Sequence, residues 1–231
     1  MKKNELISNE LKLKKNKINY LYIIIIFISF ILGFYYNENS SGGAAIDSTY
    51  ALINFKIFLS HKFKDIPWEI YSSSSLPLYY FILKFAFSEA TKLNMIIANI
   101  SFSVIAIFYL IKIISMKFDK SIIDKTYIFL YSLLILLSPY FRSSNYWGLE
   151  EIIGVLILIL TFYNFLLYKE DNSNLRLVYI IFFVSLSFYT RQSYIFLIVF
   201  IFFQLFNFKR IFDLKNILII FLFLLFLLPS F

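Results

Sequence analysis

Apolar runs recur along the whole length of this chain, and their spread constrains the fold more than any single motif does. The first covers residues 20–36; others cover 93–110, 127–139, 152–167, 177–189, 193–206 and 217–231. A water-soluble domain sets one or two such elements among polar neighbours, whereas here 60% of 231 residues are hydrophobic. A helix needs roughly 20 apolar residues to cross a bilayer. Several runs are shorter, so their helices must extend into the flanking polar residues. The expectation is an all-α, polytopic membrane bundle.

Charge orients it. The net charge is +8, but the basic residues sit in a tail before the first run and in short linkers, the pattern of cytoplasmic loops. That distribution speaks against a nucleic-acid partner. The first run leads into Phe34, Tyr35, Tyr36 and Asn37 instead of a small-residue cleavage site, so it reads as a retained signal anchor. With no cysteine and His61 as the one histidine, disulfides, thiol chemistry and a His-rich metal cluster are excluded.

The whole chain reads as one transmembrane domain. Residues 1–19 form a cytoplasmic tail, 20–36 the first span, 37–75 an extracytoplasmic loop, and 76–231 the remaining helices. The linker with Lys112, Lys117, Lys120 and Lys125 and the one with Lys209, Arg210 and Lys215 both ask to face inward. All basic segments lie inside if residues 76–110 cross once. Residues 76–87 then lie in or dip into the outer leaflet, since twelve helical residues rise only about 18 Å. A tight pair of spans is the competing topology.

The outer face collects the loop 37–75, the stretch RSSNYWGLEE at 142–151, and the turn Thr190-Arg191-Gln192. In the loop, Gly42-Gly43 precede Asp47, and apolar residues recur at helical spacing over residues 50–59, suiting an amphipathic helix on the membrane surface. Taken alone, Asp47 reads first as a helix cap. Trp68, Tyr79 and Tyr80 fit an interfacial aromatic belt, and Pro77 a helix start. Arg142 fits either snorkelling to headgroups or a phosphate partner, while Arg191, in a very short turn, favours burial against a partner. Asp47 gains a chemical reading in the company of Arg142, Glu150, Glu151 and Arg191.

This order of features resembles the GT-C superfamily of polytopic glycosyltransferases. It resembles in particular the family 39-like group, which includes dolichyl-phosphate-mannose-protein mannosyltransferase-like proteins, and it also looks like the lipid A aminoarabinose transferases. The resemblance runs to about residue 210 and rests on spacing. It implies that Asp47 matches the catalytic base of the first outer loop. Leu76-Pro77-Leu78-Tyr79-Tyr80 matches the family's helix start, with one proline where the family has two. Glu150 or Glu151 matches the acid opening a later span, and Arg191-Gln192 is similar to an Arg-Gln pair of lipid-linked-oligosaccharide glucosyltransferases. The family's acidic pair is reduced to Asp47, with Asp65 and Glu69 as distant substitutes. Family members are longer, and the apolar end of this chain reads as a truncation.

The resemblance implies transfer of a sugar from a polyprenyl-phosphate donor to a lipid or glycan acceptor outside a bacterial inner membrane, with the N-terminus cytoplasmic. Asp47, Glu150 and Glu151 are the expected catalytic residues. Arg142, Arg191, Gln192, Trp68 and Tyr79 are expected to bind substrate, and membrane lipids surround the bundle. The carboxylates could take Mg2+ or Mn2+, which the sequence leaves open. A transporter or flippase-like protein, with Arg142, Glu150 and Arg191 lining a pathway, is the rival, and an inactive membrane fragment is the third reading.

Overall fold

The computed structural model describes residues 20–40, 43–66, 77–118, 125–190, 194–206 and 214–227. Among these, every regular element is helical. The chain order is α1 (Tyr20–Tyr35), α2 (Ala44–Ser60), α3 (Leu78–Ala86), α4 (Lys92–Lys117), α5 (Lys125–Leu133), α6 (Pro139–Trp147), α7 (Glu151–Asp171), α8 (Asn174–Thr190), α9 (Ile195–Leu205) and α10 (Leu214–Leu227). Single 3-10 turns cover Phe63–Asp65 and Leu134–Leu137.

Among the described residues, two helices are long and apolar enough to cross a membrane. α4 has 26 residues and α7 has 21. They rise about 39 and 31 Å, against a hydrocarbon core about 30 Å thick. Both run past the apolar stretches 93–110 and 152–167 into polar flanks. α3 has nine residues and rises about 13 Å, too little to cross.

α7 is the central post, packed most extensively on α8 and α4. At its start Ile153 and Ile157 join Phe55 and Phe58 of α2, Tyr80 and Leu83 of α3, and Met95 of α4 in one core. At its far end Tyr168 joins a second core with Leu177, Ile180 and Ile181 of α8, Ile201 of α9 and Ile219 of α10. A smaller core ties Ile26 of α1 to Leu133, Phe141 and Ile152. The outward faces are apolar as well. Ile24, Phe27 and Ile31 of α1, Val104 and Phe108 of α4, Phe196 and Phe203 of α9, and Phe221 and Leu224 of α10 are all exposed.

The run 127–139 is one continuous helical stretch, Lys125–Leu137, that stops at Ser138. Proline restricts the residue before it to extended backbone, and Ser138 takes φ −64° and ψ 118° ahead of Pro139. Ser138 then caps the next helix, its Oγ accepting from the Phe141 amide at 3.4 Å, with Pro139 in the first turn. The polar stretch beginning at Arg142, expected as a loop, is therefore largely helix α6. It ends in a Schellman motif: Gly148 is left-handed (φ 69°), its amide bonds the Asn145 carbonyl, and the Leu149 amide bonds that of Ser144.

α2 also departs from expectation. It begins at Ala44, six residues before the apolar pattern starts, and it is not sorted into an apolar and a polar face. Its inner face buries Ser48 and Asn54 beside Phe55 and Phe58, while Ile46, Tyr50 and Ile53 are exposed. The inner face is taken by protein, from α3 and α6, so the outward apolar residues are left for the surroundings.

Candidate functional site

α6 is the most polar helix in the bundle and one of the most enclosed. Ser143, Ser144 and Asn145 are fully buried. Buried polar groups generally need partners, and α6 finds most of them on both sides, with Ser144 Oγ and Arg142 Nε left without one among the described residues. Residues 142, 143, 146 and 147 share one face, since helical neighbours recur at three and four residues. That face closes on the end of α1. Arg142 Nη1 donates to Ser29 Oγ at 2.7 Å, and Nη2 to Glu38 Oε1 at 2.7 Å. Ser143 Oγ and Trp147 Nε1 both donate to the Glu38 carbonyl, at 3.1 and 3.0 Å. The Tyr146 hydroxyl donates to the Phe30 carbonyl at 2.6 Å.

Local geometry sets Glu38 in place. α1 ends at Tyr35, and Asn37 in the turn that follows takes the left-handed conformation (φ 52°) that Asn tolerates better than most residues. The Glu38 amide then bonds the Gly33 carbonyl at 2.9 Å. Gly33 is needed for the close approach. A Cβ there would lie 2.5 Å from Glu38 Oε2 and 2.6 Å from the Tyr146 hydroxyl. Ser40 Oγ adds a further bond to Glu38 Oε1 at 2.5 Å.

The other side of α6 is held by α4 and α3. Asn99 Nδ2 donates to the carbonyls of Ser144 (3.1 Å) and Leu149 (2.7 Å), and Ser103 Oγ donates to Asn145 Oδ1 at 2.8 Å. The Tyr79 hydroxyl donates to the Gly148 carbonyl at 3.0 Å. Asn99 and Tyr79 thus reach main-chain carbonyls at the end of α6, where a helix leaves carbonyls short of partners, and Ser103 reaches a side chain within it. Lys92 Nζ stands 3.6 Å from the centre of the Trp147 ring, within cation–π range.

The phenols respond to this enclosure. Burial first, then the charges of Glu150 and Glu151, push the Tyr79 hydroxyl well above the ordinary tyrosine value. Tyr146 is raised to about 12 by burial, with Arg142 opposing and Glu38 adding. Both remain neutral donors at any working pH.

The expected site residues fall into different settings. Asp47 is exposed in the first turn of α2, where the helix dipole favours a carboxylate. It is not the cap, because Gly43 holds that position and no side chain caps the helix. Glu150 and Glu151 are half-buried at the start of α7, beside Tyr79. Arg142 is engaged by Ser29 and Glu38 through two of its five N–H donors. Tyr79 is fully buried with its hydroxyl on main-chain carbonyls, which gives it a packing role in place of the expected substrate contact. Trp68, Arg191 and Gln192 lie outside the described residues. Among the described residues no group of three or more His, Asp or Glu side chains gathers.

Glu38 is the acid that reading for a loop carboxylate passed over. Its signal was its place two residues past the last aromatic of the first apolar run, with Ser29 and Gly33 on one face of that run. No protein-family model matches the chain, and neither a curated protein nor a solved structure does.

Proposed function

We propose that this chain is an integral membrane protein that transfers a sugar from a polyprenyl-phosphate carrier to an acceptor hydroxyl. Membrane residence is supported by α4 and α7 and by the apolar outward faces of α1, α9 and α10, an amount of exposed hydrocarbon that water does not tolerate. The transfer reading rests on one observation above others. α2, with Asp47 in its first turn, packs against α6, whose end leads directly into Glu150 and Glu151. An exposed carboxylate and a half-buried pair thus belong to elements linked through α6.

In this reading the acceptor oxygen attacks the anomeric carbon of the donor, and its proton passes to the Asp47 carboxylate. The bond from anomeric carbon to phosphate oxygen breaks, and polyprenyl phosphate leaves with the electron pair. A phosphate needs no separate acid to depart. Arg191 and Gln192 receive the donor phosphate, as the resemblance implies. Glu150 and Glu151 orient the sugar. The test is sugar transfer from polyprenyl-phosphate donors in membranes carrying wild type or Asp47→Asn. Loss of a general base lowers the rate about 10²- to 10⁴-fold. Equal rates would remove Asp47 from the mechanism.

A further inference from the structure

An open groove of about 570 Å3 runs along α1 to the Arg142–Glu38 pair. Its walls are Ile25, Ile28 and Leu32, with Ser29, Gly33 and Tyr36 on the same side of the helix. From Ile25 to Tyr36 the helical rise is about 16 Å. Ile25 and Ile28 make the N-terminal end apolar; the Arg142 guanidinium spans the middle, from Ser29 to Glu38, beside Leu32 and Gly33, and Tyr36 lies at the other end. A membrane lipid lying along a crossing helix has this same order of tail and headgroup.

The polar end carries both signs. Arg142 uses two N–H groups on Ser29 and Glu38, and its Nε–H is shielded from water with no acceptor among the described residues. A guanidinium has five N–H donors, so donors remain for phosphate. Glu38 sits 2.7 Å from the guanidinium and supplies the opposite charge. A purely anionic headgroup would gain Arg142 and meet Glu38 as a like charge. A headgroup with phosphate and ammonium together would match both. Glu38 accepts hydrogen bonds, so it favours a primary ammonium, which has N–H donors, over a trimethylated one, which has none.

We infer that this groove binds a phospholipid of the phosphoethanolamine type, with its phosphate at Arg142, its ammonium at Glu38 and an acyl chain along Ile25, Ile28 and Leu32. The inference rests on the membrane reading and is independent of the sugar-transfer reading. It is tested on the full chain, purified in non-ionic detergent and mixed with equal amounts of phosphatidylethanolamine, phosphatidylglycerol and phosphatidylcholine, with retained lipid read by native mass spectrometry. Wild type is expected to retain phosphatidylethanolamine at least about tenfold over the other two, the effect of one charge-assisted hydrogen bond. Ile28→Trp, a half-exposed wall position, fills the groove and abolishes that retention without unfolding the protein. Glu38→Gln brings phosphatidylethanolamine and phosphatidylglycerol to parity. Equal retention of the three lipids by wild type, or retention untouched by Ile28→Trp, overturns the inference and leaves the membrane reading standing. A protein that retains no lipid and stays dispersed without detergent overturns both.

Discussion

Neutralising Glu38 tests how firmly α6 holds the first loop. In Glu38→Gln the side-chain shape persists and Arg142 Nη2 keeps an oxygen to donate to, but the charge is gone. The Arg142 and Glu38 side chains are 15% and 18% exposed, so the pair lies between two well-measured limits. Exposed pairs contribute about 0.2–1 kcal/mol, whereas removing one partner of a fully buried pair costs about 3–5 kcal/mol. A loss of about 1–2 kcal/mol follows, near the value of one charge-assisted hydrogen bond. Arg142→Gln should cost more, because it also breaks the bond to Ser29 and leaves Glu38 partly buried without its cation. The double variant should lose less than the sum of the two, by about 1–2 kcal/mol of coupling. Reversible unfolding of the purified protein in mixed micelles reads all four corners of this cycle. Strict additivity would mean that the two charges do not interact, and that main-chain bonds to Glu38 hold α1 and α6 together unaided.

Other substitutions and pH probe the same clamp. Gly33→Ala places a methyl group 2.5–2.6 Å from Glu38 Oε2 and the Tyr146 hydroxyl, so it should destabilise by about 1–3 kcal/mol as an overpacked contact and loosen Trp147, read as a shift in indole fluorescence. Tyr79→Phe leaves the Gly148 carbonyl without its buried donor and should cost about 1–3 kcal/mol in the same unfolding assay. Tyr79 and Tyr146 have folded values above the ordinary 10.0, so the folded state keeps a proton that the unfolded chain releases. Their contribution is complete below pH 10 and declines above it, for Tyr146 until about pH 12. Alkaline unfolding followed by circular dichroism should show that decline, and Tyr146→Phe should flatten it.

Periodicity and charge made the helices legible, and two crossing-length helices appear where long apolar runs predicted them. The division at Ser138 was less visible. Pro139 announced a boundary, but nothing in one sequence said that the polar residues after it would continue as a buried helix. Arg142 stood out as a charge between apolar runs, yet its partners lie 113 and 104 residues earlier, at Ser29 and Glu38. Pairing at that separation leaves no local periodicity. Asn99 and Ser103, four residues apart inside an apolar run, were a readable hint of a polar contact on one face of α4. The exposed apolar side of α2 followed from packing, since the fold chose which face meets α3 and α6.

The proposed sugar transfer requires α4 to cross the membrane, with its Lys92 end and α2 outside and its Lys117 end inside. The native chain has no cysteine, so single cysteines can be placed as reporters without background. Thr49 on α2 and Lys117 at the end of α4 are both exposed. The decisive measurement is labelling of Thr49→Cys and Lys117→Cys in intact cells with a membrane-impermeant maleimide, before and after permeabilisation. The account predicts that Thr49→Cys reacts in intact cells and Lys117→Cys only once the membrane is opened. Reaction of both positions from the same side would contradict it.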